Sequence, residues 1–276
     1  MKKIVFPFFL FVNASLFSQT TCCAKIKATD EFAMFTQNKK FVAAHEEPLP
    51  FILASPAGKI ISFTTDDGKK GNGYEVGDPK NNKVIFVIHE WWGLNDYIKQ
   101  ESEKISKETG ARVIALDLYD KKIASSRDSA SKYMSDVKTE RVRSIIRGAI
   151  NYVGKDAKIA TIGWCFGGGW SMQASLMAGN QAKACVIYYG MPEENITNLT
   201  KLNAPVMFVF AQKDEWINKD VVAKFEENMK TAGKTLTVKR YNAEHAFANP
   251  SNPHYERSFS EDAFINAKAF IIEHLK

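Results

Sequence analysis

The chain has 276 residues, 45% of them apolar and 25% charged, and carries a formal net charge of +6. These proportions are ordinary for a globular protein and exclude wholesale disorder, and the length accommodates one large α/β domain. The basic excess is modest and forms no run interleaved with aromatics, so no nucleic-acid partner is expected.

The chain opens MKKIVFPFFLFVNASLFSQTTCCAK. Lys2 and Lys3 form a positive start, Ile4 to Phe17 an apolar stretch, and Ser15, Ser18, Thr20 and Thr21 a zone of small polar residues. This pattern predicts a signal peptide over residues 1–23 and an exported, periplasmic or secreted protein. Pro7 and Asn13 interrupt a stretch already too short for a membrane span. Gln19 and Thr20 do not match the small apolar set that precedes a lipidated cysteine, which disfavours a lipid anchor at Cys22 or Cys23. Beyond these two, only Cys165 and Cys185 remain, which is no disulfide framework. A Cys165–Cys185 bridge is compatible with an oxidising compartment, but Cys185 lies in the apolar run "ACVIYYG" and reads as a small buried hydrophobe.

Residues 24–58, ending in Pro48, Pro50 and Pro56, read as a lead-in that wraps a core without forming one. A single domain is expected over 59–276. "KIISFTTDDGKKGNGYEV" alternates around Asp67-Gly68 and predicts two antiparallel strands. Short apolar runs follow at Val84–Ile88, Arg112–Leu116, Ile159–Gly163, Ala184–Tyr189 and Val206–Phe210, with a more polar strand at Leu236–Tyr241. Such runs suit strands buried on both faces of a parallel sheet. Helices are predicted over Asn95–Glu108, Thr139–Val153, Asp220–Ala232 and Ser260–Leu275, the first three stopped by Gly110, Gly154 and Gly233. The alternation gives an α/β class, a mostly parallel sheet flanked by helices on both faces.

The chemistry centres on "TIGWCFGGGW". An apolar strand runs into Gly163-Trp164-Cys165-Phe166-Gly167 and then into a helical segment, the context of a nucleophile elbow with cysteine in the serine position. So sharp a corner strains the nucleophile's backbone and leaves no room for Cβ atoms two residues to either side. The helix that follows aims free N–H groups at Cys165 and favours thiolate and oxyanion.

A base and an acid should follow in the order nucleophile, acid, histidine. Of five histidines, His45 precedes the sheet, His89 ends a strand, His254 lies in a polar loop and His274 ends the last helix. His245, directly after the last strand, stands where the base belongs. Asp214, past the end of the preceding strand, is the expected acid; Glu215 is the fallback, and a helix cap near Asn218 is the competing role for Asp214. "VIHEWWGLNDYI" begins like a zinc-protease motif, but Gly93 occupies the second histidine position and the metal reading fails. Instead Glu90 and the Trp91/Trp92 pair fall at the sheet's C-terminal edge, where α/β folds bind ligands.

Together "IHEWWGLN", "ALDLY", "GWCFGGG", "KDEWIN" and "EHAFAN" resemble the dienelactone hydrolase family, across residues 60 to 275. The resemblance implies an α/β-hydrolase fold, with Cys165 as nucleophile, His245 as base and Asp214 as its orienting carboxylate. It further implies that Glu90 contacts the resting thiol and helps switch it to thiolate, and that backbone N–H groups of Phe166 and Trp91 line the oxyanion hole. Two arginines that hold substrate in the best-known members are replaced, one by Asn249 and one by Lys121, which keeps charge but loses the bidentate fork. With Trp92, these are the expected substrate-binding residues.

The expected activity is hydrolysis of a small-molecule ester or lactone through a Cys165 acyl-enzyme, without cofactor or metal, in a monomer or weak homo-oligomer. The rival is a non-catalytic protein binding an apolar ligand in the Trp91/Trp92 cleft; a redox role for Cys165 would need a resolving thiol such as Cys185. Sequons at Asn195 and Asn198 matter only in a glycosylating host.

Overall fold

The computed structural model describes Met1 and residues 27–276. The signal segment expected over 1–23, beyond Met1, lies outside the described residues, as do Cys22 and Cys23. The lead-in begins with helix α1 (Lys27–Met34), a 3-10 turn, and a short helix α2 (Lys39–Ala44). Asn38 starts α2 by accepting N–H bonds from Lys40 and Phe41, an ordinary asparagine cap. Far from merely wrapping the outside, this segment buries Ala28, Phe32 and Phe41 completely or nearly so.

The two predicted hairpin strands are β1 (Lys59–Thr64) and β2 (Lys70–Val76), antiparallel as expected. The rest alternates: β3 (Lys83–Ile88), α3 (Asp96–Thr109), β4 (Arg112–Asp117), α4 (Arg127–Asp136), α5 (Thr139–Val153), β5 (Lys158–Trp164) and α6 (Phe166–Ala178). Then come β6 (Ala182–Tyr188), α7 (Ile196–Leu199), β7 (Val206–Ala211), α8 (Lys219–Thr231), β8 (Leu236–Tyr241) and α9 (Arg257–His274). The eight strands form one sheet in the order β1-β2-β4-β3-β5-β6-β7-β8, parallel from β4 onward. The continuous Val/Ile runs are buried along their length because helices cover both faces. Gly110 closes α3 in the left-handed conformation at φ 68°. Helix α4, capped by reciprocal Ser126 and Ser129 bonds, had no counterpart among the expected elements; its sequence RDSASKYMSD is too polar to show a clear period.

Parallel register aligns the C-terminal ends of β3, β5, β6, β7 and β8 along one edge. Gly163 pairs with Ile88 on one side and Ile187 on the other. The residues that follow these strands therefore converge, which is what the site requires. No helix among the described residues is long and apolar enough to cross a membrane.

Candidate active site

The elbow after β5 is built as its glycines demand. Cys165 takes φ 55° and ψ −121° at the start of α6, its N–H donating to the Tyr188 carbonyl at 3.0 Å. A Cβ on Gly163 would lie 2.1 Å from the Gly167 carbonyl oxygen, and one on Gly167 would lie 2.3 Å from that of Ile88. Neither position tolerates a side chain without moving backbone. Tyr189 (φ 35°) and Ala246 (φ 63°) are the other positive-φ residues around the site. Strain of this kind persists only where the surroundings over-determine it.

The residues after β7 and β8 complete a chain of contacts. His245 Nδ1 donates to Asp214 Oδ2 at 2.6 Å, and Asp214 Oδ1 accepts the N–H groups of Trp216 and Ile217 at 2.9 and 3.0 Å. The capping role considered for Asp214 belongs to Asn218, whose side chain accepts from Asp220 and Val221. Glu215 is exposed and pairs with Lys40 of the lead-in at 2.6 Å, so it takes no part in the His245 contact.

His45 is the residue that sequence reasoning missed. Expected merely to precede the sheet, it sits at the end of α2 with its Nε2 3.8 Å from Cys165 Sγ. Its Nδ1 donates to the Phe41 carbonyl at 2.7 Å, so the neutral ring turns its Nε2 lone pair toward the sulfur. The only hint in "NKKFVAAHEEP" is that Phe41 and His45 share one face of a short capped helix; nothing local says where that face docks. The donor atoms of His45, Cys165 and His245 all lie within 4.8 Å of one another. His245 Nε2 is buried without hydrogen-bond geometry to any partner.

The thiol is covered, at 1% exposure. Phe41 lies tilted against His45 (4.1 Å between ring centres) and meets Trp91 edge-on at 5.8 Å, while His45 lies 4.5 Å from Trp91. Trp91 and Trp92 are buried, and the cleft expected beside them is filled by the lead-in. Burial pushes the Cys165 thiol above its ordinary range, against the pull of His245. Burial also opposes charge on His245, but the Asp214 carboxylate beside it holds the ring well above the usual imidazole value. His45, buried next to His245, is lowered to about 3.

Glu90 is in the same hollow but holds different partners from those expected. Its Oε1 accepts from Tyr189 Oη at 3.4 Å and its Oε2 from Asn249 Nδ2. Burial raises it to about 7. The resting thiol thus neighbours His45, and Glu90 is tied to Asn249, the residue standing where the resemblance expects arginine. Asn249 is in turn fixed by Ser251, whose N–H and hydroxyl both donate to its Oδ1. A cavity of about 50 Å³ opens beside Glu90, lined by Ala248, Asn249, Trp164 and Tyr97. Phe166, one of the two expected oxyanion donors, is buried at the start of α6, and its N–H reaches toward Cys165. Lys121 is not joined to this cluster: it is exposed, and its N–H donates to Asp117 at 2.5 Å. Cys185 is fully buried, 3.8 Å from Ser171 Oγ, and both it and Cys165 are free thiols.

A parallel sheet with a strained thiol elbow and a carboxylate-bound imidazole at its C-terminal edge defines a hydrolase of the α/β-hydrolase fold. Comparison with known proteins narrows the class. Residues 72–275 match the model of the dienelactone hydrolase family, and the chain belongs to that family, whose members cleave ester and lactone bonds. The chain is 29% identical over 232 residues to Protein usf of Aquifex pyrophilus, covering 79% of this chain and 99% of that one. It is 28% identical over 205 residues to a putative carboxymethylenebutenolidase of Aquifex aeolicus, covering 70% and 87%. Among solved structures, a putative dienelactone hydrolase from Klebsiella pneumoniae aligns with TM-score 0.65 at 21% identity, over 77% of this chain and 98% of that one.

Proposed function

We propose that the protein is an exported cysteine hydrolase that opens small esters or lactones through an acyl-enzyme on Cys165. His245 takes the thiol proton and the sulfur attacks the substrate carbonyl. The tetrahedral oxyanion is held by N–H groups of Phe166 and Trp91; as it collapses, the leaving oxygen takes the proton from His245 and departs as the alcohol or, in a lactone, becomes the hydroxyl of the opened ring. Water, deprotonated by His245, then releases the acid and restores the thiol. Asp214 keeps the imidazole oriented and stabilises its charged form. The observation that carries this reading is the His245–Asp214 bond of 2.6 Å beside a cysteine in the elbow conformation. Binding alone needs neither strain nor an oriented base, and the Trp91/Trp92 cleft of the rival reading is occupied by Phe41 and His45.

The cover implies one more step. With the thiol buried under α1 and α2, the lead-in has to withdraw for a carbonyl to reach the sulfur. The names of the relatives, carboxymethylenebutenolidases among them, favour a lactone or activated ester as substrate. Export rests on Lys2, Lys3 and the apolar stretch Ile4–Phe17. The test is turnover of p-nitrophenyl acetate and a lactone panel by the parent and by Cys165→Ala. The parent should turn over and the variant should not; equal activity in the two ends the proposal. N-terminal mass analysis of the protein recovered from the exported fraction tests the signal.

A further inference from the structure

The cluster at the thiol holds one more imidazole than the catalytic cycle needs. His245 serves as base, and the mechanism gives His45 nothing to do. Each ring uses Nδ1 as a donor, His45 to the Phe41 carbonyl and His245 to the Asp214 carboxylate. Both Nε2 atoms therefore face the one sulfur. His245 Nε2 is buried, with the Cys165 sulfur as its neighbour.

We propose that His45, Cys165 and His245 are a binding site for a zinc ion, which closes the lead-in over the thiol. Two imidazole nitrogens and one thiolate are a borderline-soft donor set, suited to Zn²⁺ and unsuited to the oxygen-seeking Mg²⁺ or Ca²⁺. Tetrahedral zinc places such donors about 3.3–3.6 Å apart. The Cys165–His45 pair stands at 3.8 Å and all three donor atoms fall within 4.8 Å, so small side-chain rotations bring them to a common ion. The outer bonds are those a metal-binding histidine needs: a carbonyl on one ring and a carboxylate on the other fix which nitrogen faces inward. Binding exchanges the S–H bond for an S–Zn bond and releases the proton to water; the fourth position is left to a water molecule. A groove of about 160 Å³ borders His245, between Lys40, Trp216 and His254.

The placement of the donors gives the ion a consequence. His45 belongs to the lead-in, while Cys165 and His245 belong to the sheet's edge. Zinc therefore fastens the cover to the domain and occupies the nucleophile at once.

The test uses the purified, metal-free full chain titrated with Co²⁺ and then Zn²⁺. One Co²⁺ per chain should produce a thiolate-to-metal charge-transfer band with tetrahedral d–d bands. Zn²⁺ should displace it and stop ester turnover at the same stoichiometry, and a chelator should reverse both. His45→Gln should weaken binding at least about tenfold, and Cys165→Ser should remove the charge-transfer band. His254→Gln, half-exposed in the groove, should bind as the parent does. X-ray absorption of the zinc-loaded parent should count one sulfur and two imidazoles, a readout independent of any variant's folding. Absence of the band, a sulfur-free shell, fewer than two imidazoles, or His45→Gln binding as tightly as the parent would overturn the proposal. Failure here is separable from failure of the hydrolase reading. An active enzyme without the band loses only zinc, whereas a zinc-binding chain whose Cys165→Ala variant still hydrolyses esters loses only the cysteine mechanism.

Discussion

Two regions of the molecule meet at one sulfur, and they are held in place by different means. On the domain side, Cys165, Asp214 and His245 follow the ends of β5, β7 and β8 along one edge of the sheet, and close backbone approaches at Gly163 and Gly167 leave the elbow one shape. On the lead-in side, His45 arrives on a six-residue helix kept there by buried Phe32 and Phe41 and by exposed polar contacts such as Lys40–Glu215 and Glu46–His254. The first arrangement is fixed by backbone geometry; the second rests largely on apolar docking. A catalytic group and its cover are thus distinguished by what fixes them, not by their distance from the thiol.

The sharpest way to break this contrast is on the domain side. Asp214→Asn should lower ester kcat by about 10³–10⁴-fold, because the amide no longer holds the imidazole in the working tautomer. Steady-state kinetics with an unchanged melting temperature checks it; a loss below tenfold would mean His245 is oriented by something else. On the lead-in side, Phe41→Ala should act in the opposite sense. Removing a fully buried ring that touches His45, Trp91 and Trp216 forfeits roughly 3–5 kcal/mol of packing. The cover should open more often, and iodoacetamide should alkylate Cys165 at least about tenfold faster. Labelling at the parent rate would show that the lead-in is not what shields the thiol.

The third prediction concerns the domain core beneath both regions. His89 is fully buried, donates to the Glu90 carbonyl at 2.6 Å and accepts the Leu118 N–H at 3.1 Å, and burial lowers it to about 4. An unfolded chain protonates this residue near 6.5, so its contribution is intact above that pH and is lost as pH falls from about 6.5 to 4. His89 alone should cost up to about 3 kcal/mol across that window. Urea midpoints measured from pH 7 to 4 should be flatter in His89→Asn than in the parent; parallel curves would remove the assignment. Smallest of all, Lys40→Ala breaks a pair exposed on both sides, 70% and 53%, and should change stability by less than about 1 kcal/mol. A larger effect by thermal melting would mean the cover is held electrostatically.

Much of the domain was legible because its signals are local. Val/Ile runs marked β3 to β7, and the hairpin around Asp67-Gly68 was readable as β1 and β2. The glycines of "GWCFGGG" announced a corner that no other residues could turn. Chain order then supplied Asp214 and His245, since each follows a strand that parallel pairing brings to the same edge. Glu90 was placed in the right hollow with the wrong partner, because its bond to Asn249 spans 159 residues and depends on where the loop after β8 folds back.

By itself the sequence determined the sheet, the elbow and which cysteine, histidine and aspartate stand at the sheet's C-terminal edge, because strand periodicity and backbone sterics act over a few residues. Only the tertiary structure decided that His45 reaches the thiol from 120 positions away and that the lead-in covers it. Apolar docking is non-directional: Phe41 and Phe32 advertise a surface to be buried, and the shape of the assembled cleft alone selects where.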